Sequence, residues 1–237
     1  MTSQLTYSIL IPAYESEKYL PDLLAQIKHI NPQPREVFVV NDGSSDNTGQ
    51  VAEKMGAIVV QHECNKGKGA ALKTGFQAFL DTSKSAYLLC MDADLQHSVE
   101  EIPKFISYAG HNELQFIIGN RLNETHSMPI HRKISNKTTS YILSKLTGQP
   151  IKDSQCGYRL LHRDLLSDLD LKENGFQLES EMILKVSDKK LKIDFVDIGT
   201  VYNGESSQIR NVFDTFKFVI LVFRALIKKV RWFTRKS

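Results

Sequence analysis

The sequence predicts an α/β fold built on a mainly parallel sheet. Short apolar runs alternate with segments of helical period through the first half of the chain. The runs Val37-Phe38-Val39-Val40 and Ala86-Tyr87-Leu88-Leu89-Cys90-Met91 are apolar enough for the interior of a sheet. Polar groups with ligand-binding chemistry follow three of these runs directly, and the carboxyl ends of strands are where open α/β sheets bind ligands.

Taken in order, Ser8–Ile11 reads as strand one, ended by Pro12. A helix follows over about Glu17–Ile30, with Leu20, Leu23, Leu24 and Ile27 at core spacing and Pro21 suited to a first turn. Asn31-Pro32-Gln33-Pro34 stops it, and Glu36–Val40 is strand two. Asp42-Gly43-Ser44-Ser45-Asp46 turns the chain into a helix beginning near Thr48, with Asp46 or Ser45 as its cap. Ala57–Val60 is strand three, Lys68–Leu80 a helix, Ala86–Met91 strand four and Phe116–Gly119 strand five. The second half is less regular: a helix over His131–Leu146, a strand at Tyr158–Leu161, a helix over Leu178–Val186 and a strand or strand pair over Ile193–Val201. Its topology does not follow from pattern.

The chain has 237 residues, 41% hydrophobic and 24% charged, which supports one substantial core. Cys64, Cys90 and Cys156 are odd in number and lack metal-ligand spacing, so reduced thiols in a cytosolic setting are expected. The first seven residues lack a basic stretch followed by a long apolar core, so no signal peptide is expected. The net charge of +3 is unevenly spread: eight Lys or Arg and one acid lie from Arg210 onward, leaving 22 basic and 26 acidic residues before it.

The chemistry concentrates after strand four, at Asp92-Ala93-Asp94-Leu95-Gln96-His97. A buried strand does not readily hold two ionised carboxylates, so they emerge where the strand ends. Two Asp separated by one small residue suit a hard divalent ion that bridges to phosphates, and equally a solvated turn. After strand one, Pro12-Ala13-Tyr14-Glu15 offers a ring and an acid, or an ordinary turn. After strand two, Asp42 can accept hydrogen bonds from a base or ribose. Asn65-Lys66-Gly67-Lys68-Gly69 opens a helix with close backbone approach and positive charge, features of an anion site. It has neither P-loop nor dinucleotide-fingerprint spacing, which excludes those two classes. His97, His131 and His162 lack metal-ligand spacing.

These segments together resemble the family 2 glycosyltransferases of the GT-A fold. The residues that carry the likeness are Ile11-Pro12-Ala13-Tyr14, Val40–Asp46, Asn65–Gly69 and Met91–Asp94, and it extends over roughly Ser8–Tyr202. Within that family the chain is most similar to polyprenyl-phosphate sugar synthases of the dolichyl-phosphate mannose synthase type. That narrower likeness rests on Asp92–His97, on Gly119-Asn120-Arg121 with His131–Asn136, and on Asp153–Arg159. One departure is Glu15-Ser16 after Tyr14, where the family usually shows Asn-Glu.

The resemblance implies a Rossmann-like, mainly parallel sheet flanked by helices, and an inverting transfer of one sugar from GDP-mannose or UDP-glucose to polyprenyl phosphate. Mg²⁺ or Mn²⁺ on Asp92, Asp94 and Gln96 would neutralise the leaving diphosphate. Pro12, Tyr14, Glu15, Asp42, Lys66, Lys68 and Asp92 would bind the donor, with Lys66 and the backbone of Gly67–Gly69 as a phosphate cradle. Arg121, Arg132 and Ser135 would take the acceptor phosphate, guanidinium being suited to bidentate phosphate contact. Asp94, Arg121 and Asp153 are the catalytic candidates. Asp153 would be the base if the acceptor were a sugar hydroxyl, or would pair with Arg159. Glu179 and Glu181 are a second base choice, or a solvated helix face. Ser206-Ser207-Gln208 is similar to the family's donor-covering loop.

The expected organisation is a glycosyltransferase domain over 1–205, with a nucleotide-sugar half to about 120 and an acceptor half over 121–205, followed by a basic amphipathic helix over 206–237. The apolar stretch between Lys217 and Arg224 is too short to span a bilayer. On a helix, Lys217, Arg224, Lys228, Arg231 and Arg235 share one side, which fits a helix lying on the cytoplasmic face of a membrane; the alternative is a terminal helix packed on the core, on another subunit or on a second copy. No nucleic-acid module is present.

Overall fold

The computed structural model describes residues 5–112, 114–122, 130–199 and 211–234, with side chains for all of these except 131, 211–214 and 228–234. Seven strands form one sheet: β1 (Tyr7–Ala13), β2 (Val37–Asn41), β3 (Ile58–Gln61), β4 (Tyr87–Cys90), β5 (Phe116–Asn120), β6 (Arg159–His162) and β7 (Asp194–Asp197). Their order is β3-β2-β1-β4-β6-β5-β7. All neighbouring pairs are parallel except those made by β6, which runs antiparallel to both β4 and β5. The mainly parallel sheet expected from the sequence is therefore present, and β6 supplies the topology that pattern left open.

The helices are α1 (Leu20–Ile27), α2 (Thr48–Lys54), α3 (Lys68–Thr82), α4 (Ile102–Asn112), α5 (Ile130–Thr147), α6 (Arg163–Ser167), α7 (Leu178–Asp188) and α8 (Asn211–Thr234). Helix α1 starts later than the apolar spacing suggested, with Pro21 in its first turn as expected. Residues 14–19 are instead a loop, because Glu15 and Glu17 are spent on hydrogen bonds to the loop after β2. Strand β1 continues through Pro12 to Ala13, beyond the predicted stop. By Pro12 the strand has left β4, whose pairing ends at Leu10, and remains in register only with β2. A proline is tolerated at such a one-sided position. Helix α4 went unpredicted although Ile102, Phe105, Ile106 and Ala109 are buried at helical spacing.

The core lies along the central strands: Ile9, Leu10, Ile11, Phe38, Val39, Val40, Leu88 and Leu89 are fully buried. Burial of each aliphatic side chain contributes about 1.5–3 kcal/mol, so this layer fixes the register on which the strand-end loops depend. Helix α8 packs on α7. Leu221 is buried, Phe218 and Val222 lie against the core, and Arg224 pairs with Glu173 at 3.3 Å. Its other side exposes Phe216, Val219 and Phe223. Among the described residues no helix is long and apolar enough to cross a membrane.

Candidate active site

The topology gathers the site. Strands β1, β2, β4 and β5 deliver their following loops to one edge of the sheet. Because β6 is antiparallel, with Arg159 in register with Cys90 and Ile118, the segment 153–158 that precedes it reaches the same edge. The Asp-Ala-Asp turn, Arg121 and the Asp153–Gly157 loop are thereby neighbours.

At the outer end, most of the predicted donor-binding acids hold loops together. Asp42 is buried, and its carboxylate accepts from the backbone N–H of Lys66 at 3.0 Å and of Gly67 at 2.8 Å. It also lies 2.6 Å from Nδ1 of His62, whose Nε2 is 2.9 Å from the hydroxyl of Thr74. Glu15 sits at a positive φ of 51° and accepts from the N–H and hydroxyl of Ser45 at 2.8 and 3.0 Å. Asp46 caps α2 by accepting from the N–H of Thr48 at 3.0 Å, as the sequence suggested. Tyr14 and Lys66 are exposed, and Pro12, two residues before Tyr14, is half-buried. The glycines after Lys66 are shaped by protein, not left as an open cradle: a Cβ on Gly67 or Gly69 would come within 2.7 Å of backbone atoms at Asn174 and Gly175. The N–H of Ala70 donates to the Asn174 carbonyl at 3.0 Å, occupying a donor that would otherwise face an anion.

At the centre, Lys68 bridges two carboxylates, at 2.7 Å from Asp92 Oδ1 and 2.8 Å from Glu179 Oε1. Burial opposes the lysine's charge, but the two carboxylates outweigh it and hold the ammonium above the usual lysine range. Burial likewise opposes ionisation of Asp92, and Lys68 outweighs it, bringing that carboxyl down to about 2. Asp94 differs. Burial and then the neighbouring charge of Asp92 raise it, against a hydrogen bond from the N–H of Gln96 at 3.0 Å. Gly157 makes room for this group, since a Cβ there would lie 2.7 Å from Asp92 Oδ2 and 3.0 Å from Lys68 Nζ. His97 is buried, stacks on Tyr158 at 4.9 Å and accepts the N–H of Asp92 at 3.2 Å through Nδ1. Burial pushes it down to about 4, so it is neutral and orients the turn.

The donor set fits a hard divalent ion. Asp92 and Asp94 bring two carboxylates to a strand end, and the Gln96 amide follows on the same turn; no group of three or more His, Cys, Asp or Glu side chains forms a cage among the described residues. Two carboxylates leave coordination positions for phosphate oxygens and water, as nucleotide-bound Mg²⁺ requires.

Beyond the turn, on the side expected to take the acceptor, Arg121 and Asp153 are a bidentate pair, with Nε at 2.8 Å and Nη2 at 3.0 Å from the carboxylate. Asn136 of α5 donates to the same carboxylate at 2.7 Å. Burial opposes the charge on Asp153, and Arg121 outweighs it, keeping the carboxyl below its ordinary value. Asp153 is fully buried, and its partner is Arg121 and not Arg159. Arg159, also buried, donates to the carbonyls of Cys156, Glu179 and Ser154 at 2.7–2.9 Å. Ser135 is exposed and lies 3.4 Å from the Gln155 amide, while Arg132 is half-buried one turn earlier. Neither Glu179 nor Glu181 forms a solvated face. Both are buried, and Glu181 accepts from the N–H groups of Lys172 and Glu173 at 2.9–3.1 Å. Ser206-Ser207-Gln208 lies outside the described residues. His97, Gly157 and Asn136 are site residues whose function the sequence reading did not identify; the signal at hand was their place inside the segments that carried the resemblance. Glu179, expected as a base or on a solvated face, lies outside those segments and is instead paired with Lys68.

The sequence profile described as Glycosyl transferase family 2 matches residues 8–170. The UDP-N-acetylglucosamine–dolichyl-phosphate N-acetylglucosaminyltransferase of Methanococcus voltae is 29% identical over 97% of this chain and 98% of its own length. The polyprenol monophosphomannose synthase of Mycolicibacterium smegmatis is 32% identical over 69% of this chain and 64% of its own. Among solved structures, glucosyl-3-phosphoglycerate synthase from Mycobacterium tuberculosis, crystallised with Mn²⁺, UDP and glucosyl-3-phosphoglycerate, superposes with a TM-score of 0.73. It is 18% identical, covering 96% of this chain and 80% of that one, which is a likeness of fold.

Proposed function

The chain belongs to glycosyl transferase family 2, and we propose that it transfers one sugar, with inversion, from a nucleotide-diphosphate sugar to a polyprenyl phosphate. The observation that carries this reading is the state of Asp153. A sugar hydroxyl would need a base within reach, and the candidate is buried, ionised and held by Arg121 and Asn136. A phosphate monoester is already largely ionised at neutral pH and attacks without one. The near full-length likeness to a dolichyl-phosphate transferase supports the same acceptor class.

Asp94, with Asp92 and Gln96, would hold Mg²⁺ or Mn²⁺, which neutralises charge on the leaving diphosphate. Tyr14 and Lys66 are exposed at the donor end; Pro12 beside Tyr14 and the loops braced by Asp42 and Glu15 set their positions. Arg121, Arg132 and Ser135 would bind and orient the acceptor phosphate, Arg121 being pre-set by Asp153. Residues 1–205 are the transferase unit in this reading, with the tail helix as its attachment.

The lipid substrate places the enzyme at the cytoplasmic face of a membrane. Helix α8 offers Phe216, Val219 and Phe223 for that contact, and α5 presents Ile130, Ile134 and Tyr141 along one side with Lys133, Lys137 and Lys145 among them. The alternative occupant of that face of α8 is a membrane subunit or a second copy.

The test incubates the protein with Mn²⁺, polyprenyl phosphate and labelled GDP-mannose, UDP-glucose or UDP-N-acetylglucosamine, the last included because of the Methanococcus relative. Label in the organic phase that disappears with chelator and in Asp94→Ala supports the proposal and names the donor. Nucleotide binding without lipid labelling from any donor rejects the polyprenyl-phosphate acceptor in favour of a hydroxyl.

A further inference from the structure

The Lys68 bridge does more than fill space beneath the Asp-Ala-Asp turn. We propose that Lys68 and Glu179 are positioning residues which set the charge that Asp92 presents to a cation, an inference that rests on the cation role of Asp92 and Asp94 given above.

Three observations converge. The ammonium of Lys68 is shared almost equally, at 2.7 Å from Asp92 and 2.8 Å from Glu179. Glu179 is itself fixed from behind: its carbonyl accepts from Arg159 Nη1 at 2.7 Å, and Arg159 Nη2 is 3.9 Å from its carboxylate. Gly157 leaves the Asp92 carboxylate room beside Lys68, where any side chain would displace it. Glu179 is thus a second, deeper claimant on the lysine's charge. A lysine bound to Asp92 alone would neutralise that carboxylate and weaken its hold on a divalent ion. A lysine drawn equally toward Glu179 keeps Asp92 oriented while leaving it negative. The ring of Phe176, 5.7 Å from Nζ, gives the ammonium a further contact.

This arrangement makes two substitutions act in opposite directions on cation affinity. Lys68→Met removes the positive charge beside Asp92 and leaves a more negative site, so Mn²⁺ binds more tightly while the donor diphosphate binds more weakly. Glu179→Gln keeps the shape and a hydrogen-bond acceptor for Lys68 but returns the whole ammonium to Asp92, so Mn²⁺ binds more weakly. Charges a few Å apart in a partly buried site change affinity by about tenfold or more. A packing role alone would weaken Mn²⁺ binding in both variants.

The experiment titrates Mn²⁺ by electron paramagnetic resonance, with and without saturating nucleoside diphosphate, in the wild-type chain, Lys68→Met, Lys68→Arg and Glu179→Gln. Thermal melts identify variants that fail to fold, and Lys68→Arg retains the charge if Lys68→Met is among them. The expected result is tighter Mn²⁺ binding in Lys68→Met, near wild-type binding in Lys68→Arg and weaker binding in Glu179→Gln. Shifts of the same sign in Lys68→Met and Glu179→Gln, or a Glu179→Gln value equal to wild type, overturn the inference and leave the transferase reading intact. A wild-type chain that binds no Mn²⁺ under either condition overturns both the cation role of Asp92 and Asp94 and this inference with it.

Discussion

Asp153→Asn separates a structural anion from a catalytic base more sharply than any other single change. The carboxylate is fully buried and receives two guanidinium hydrogen bonds from Arg121 at 2.8 and 3.0 Å, the Arg121 backbone N–H at 3.2 Å and the Asn136 amide at 2.7 Å. Replacing it by an amide leaves a mostly buried guanidinium without its counter-charge and sets one N–H₂ group against another donor. Breaking a buried pair from one side costs about 3–5 kcal/mol. In a chain of this length 1 kcal/mol shifts the midpoint by about 2–4 °C, so the melt should fall by about 6–20 °C. The cost should shrink on acidification. The folded carboxyl lies below its ordinary value, so its stabilisation is complete above about pH 4 and is lost as the pH falls through the folded value. The assay is thermal melting by circular dichroism from pH 7 down to pH 3, paired with lipid-phase transfer at pH 7. A variant that melts within about 2 °C of wild type yet transfers no sugar would refute the anchor and restore Asp153 as the base.

Other consequences follow from the same contacts. Gly157→Ala places a Cβ 2.7 Å from Asp92 Oδ2, so steady-state kinetics should show transfer lowered by about tenfold or more with the midpoint nearly unchanged. His97 is held down to about 4 by burial, so between the ordinary 6.5 and that value the unfolded chain binds a proton the folded chain refuses. Stability of the metal-free chain, measured by urea titration with chelator present, should therefore decline as pH falls through that window, by up to about 3 kcal/mol, and His97→Phe should flatten the decline. Ile134→Glu with Tyr141→Glu alters only exposed positions of α5. It should leave the melt unchanged and reduce co-sedimentation with phosphatidylglycerol vesicles by several-fold.

Much of the site was legible because strand ends are legible. An apolar run that stops at two aspartates announces where burial ends, and the alternation of strands and helices places that stop at a ligand-binding edge. What was hidden is pairing over distance. Glu179 sits in the run Leu178-Glu179-Ser180-Glu181, which as a pattern reads like the polar side of a helix. Its burial becomes intelligible only once Lys68, 111 residues away, is beside it. The Asp153 pairing was unread for the same reason: Arg159 is close in sequence, but β6 turns it under the loop toward carbonyl groups, while Arg121 arrives from the end of β5. The direction of β6 itself is not encoded in its four residues, Arg159-Leu160-Leu161-His162. Helix α4 is the contrary case, because its buried residues Ile102, Phe105, Ile106 and Ala109 recur at helical spacing in the sequence itself.

The division of polar groups at the strand ends changes how the site should be understood. Asp42, Glu15, Asp46, Glu181 and Asp153 all carry charge in places where a list of motif residues would put ligand contacts, yet each is committed to hydrogen bonds within the chain. Such bonds hold loops at fixed positions before any ligand arrives, which lowers the ordering that binding must supply. Asp94 stands apart. Burial and the charge of Asp92 raise its carboxyl, against a hydrogen bond from the N–H of Gln96 at 3.0 Å. Two adjacent carboxylates, one sharing Lys68 with Glu179 and the other weakly supported, form a turn with negative charge in excess. A cation would relieve that excess, and phosphate oxygens would complete its coordination. In the proposed reading the braces set where the donor would lie, and the imbalance at Asp94 is what an accompanying cation would relieve.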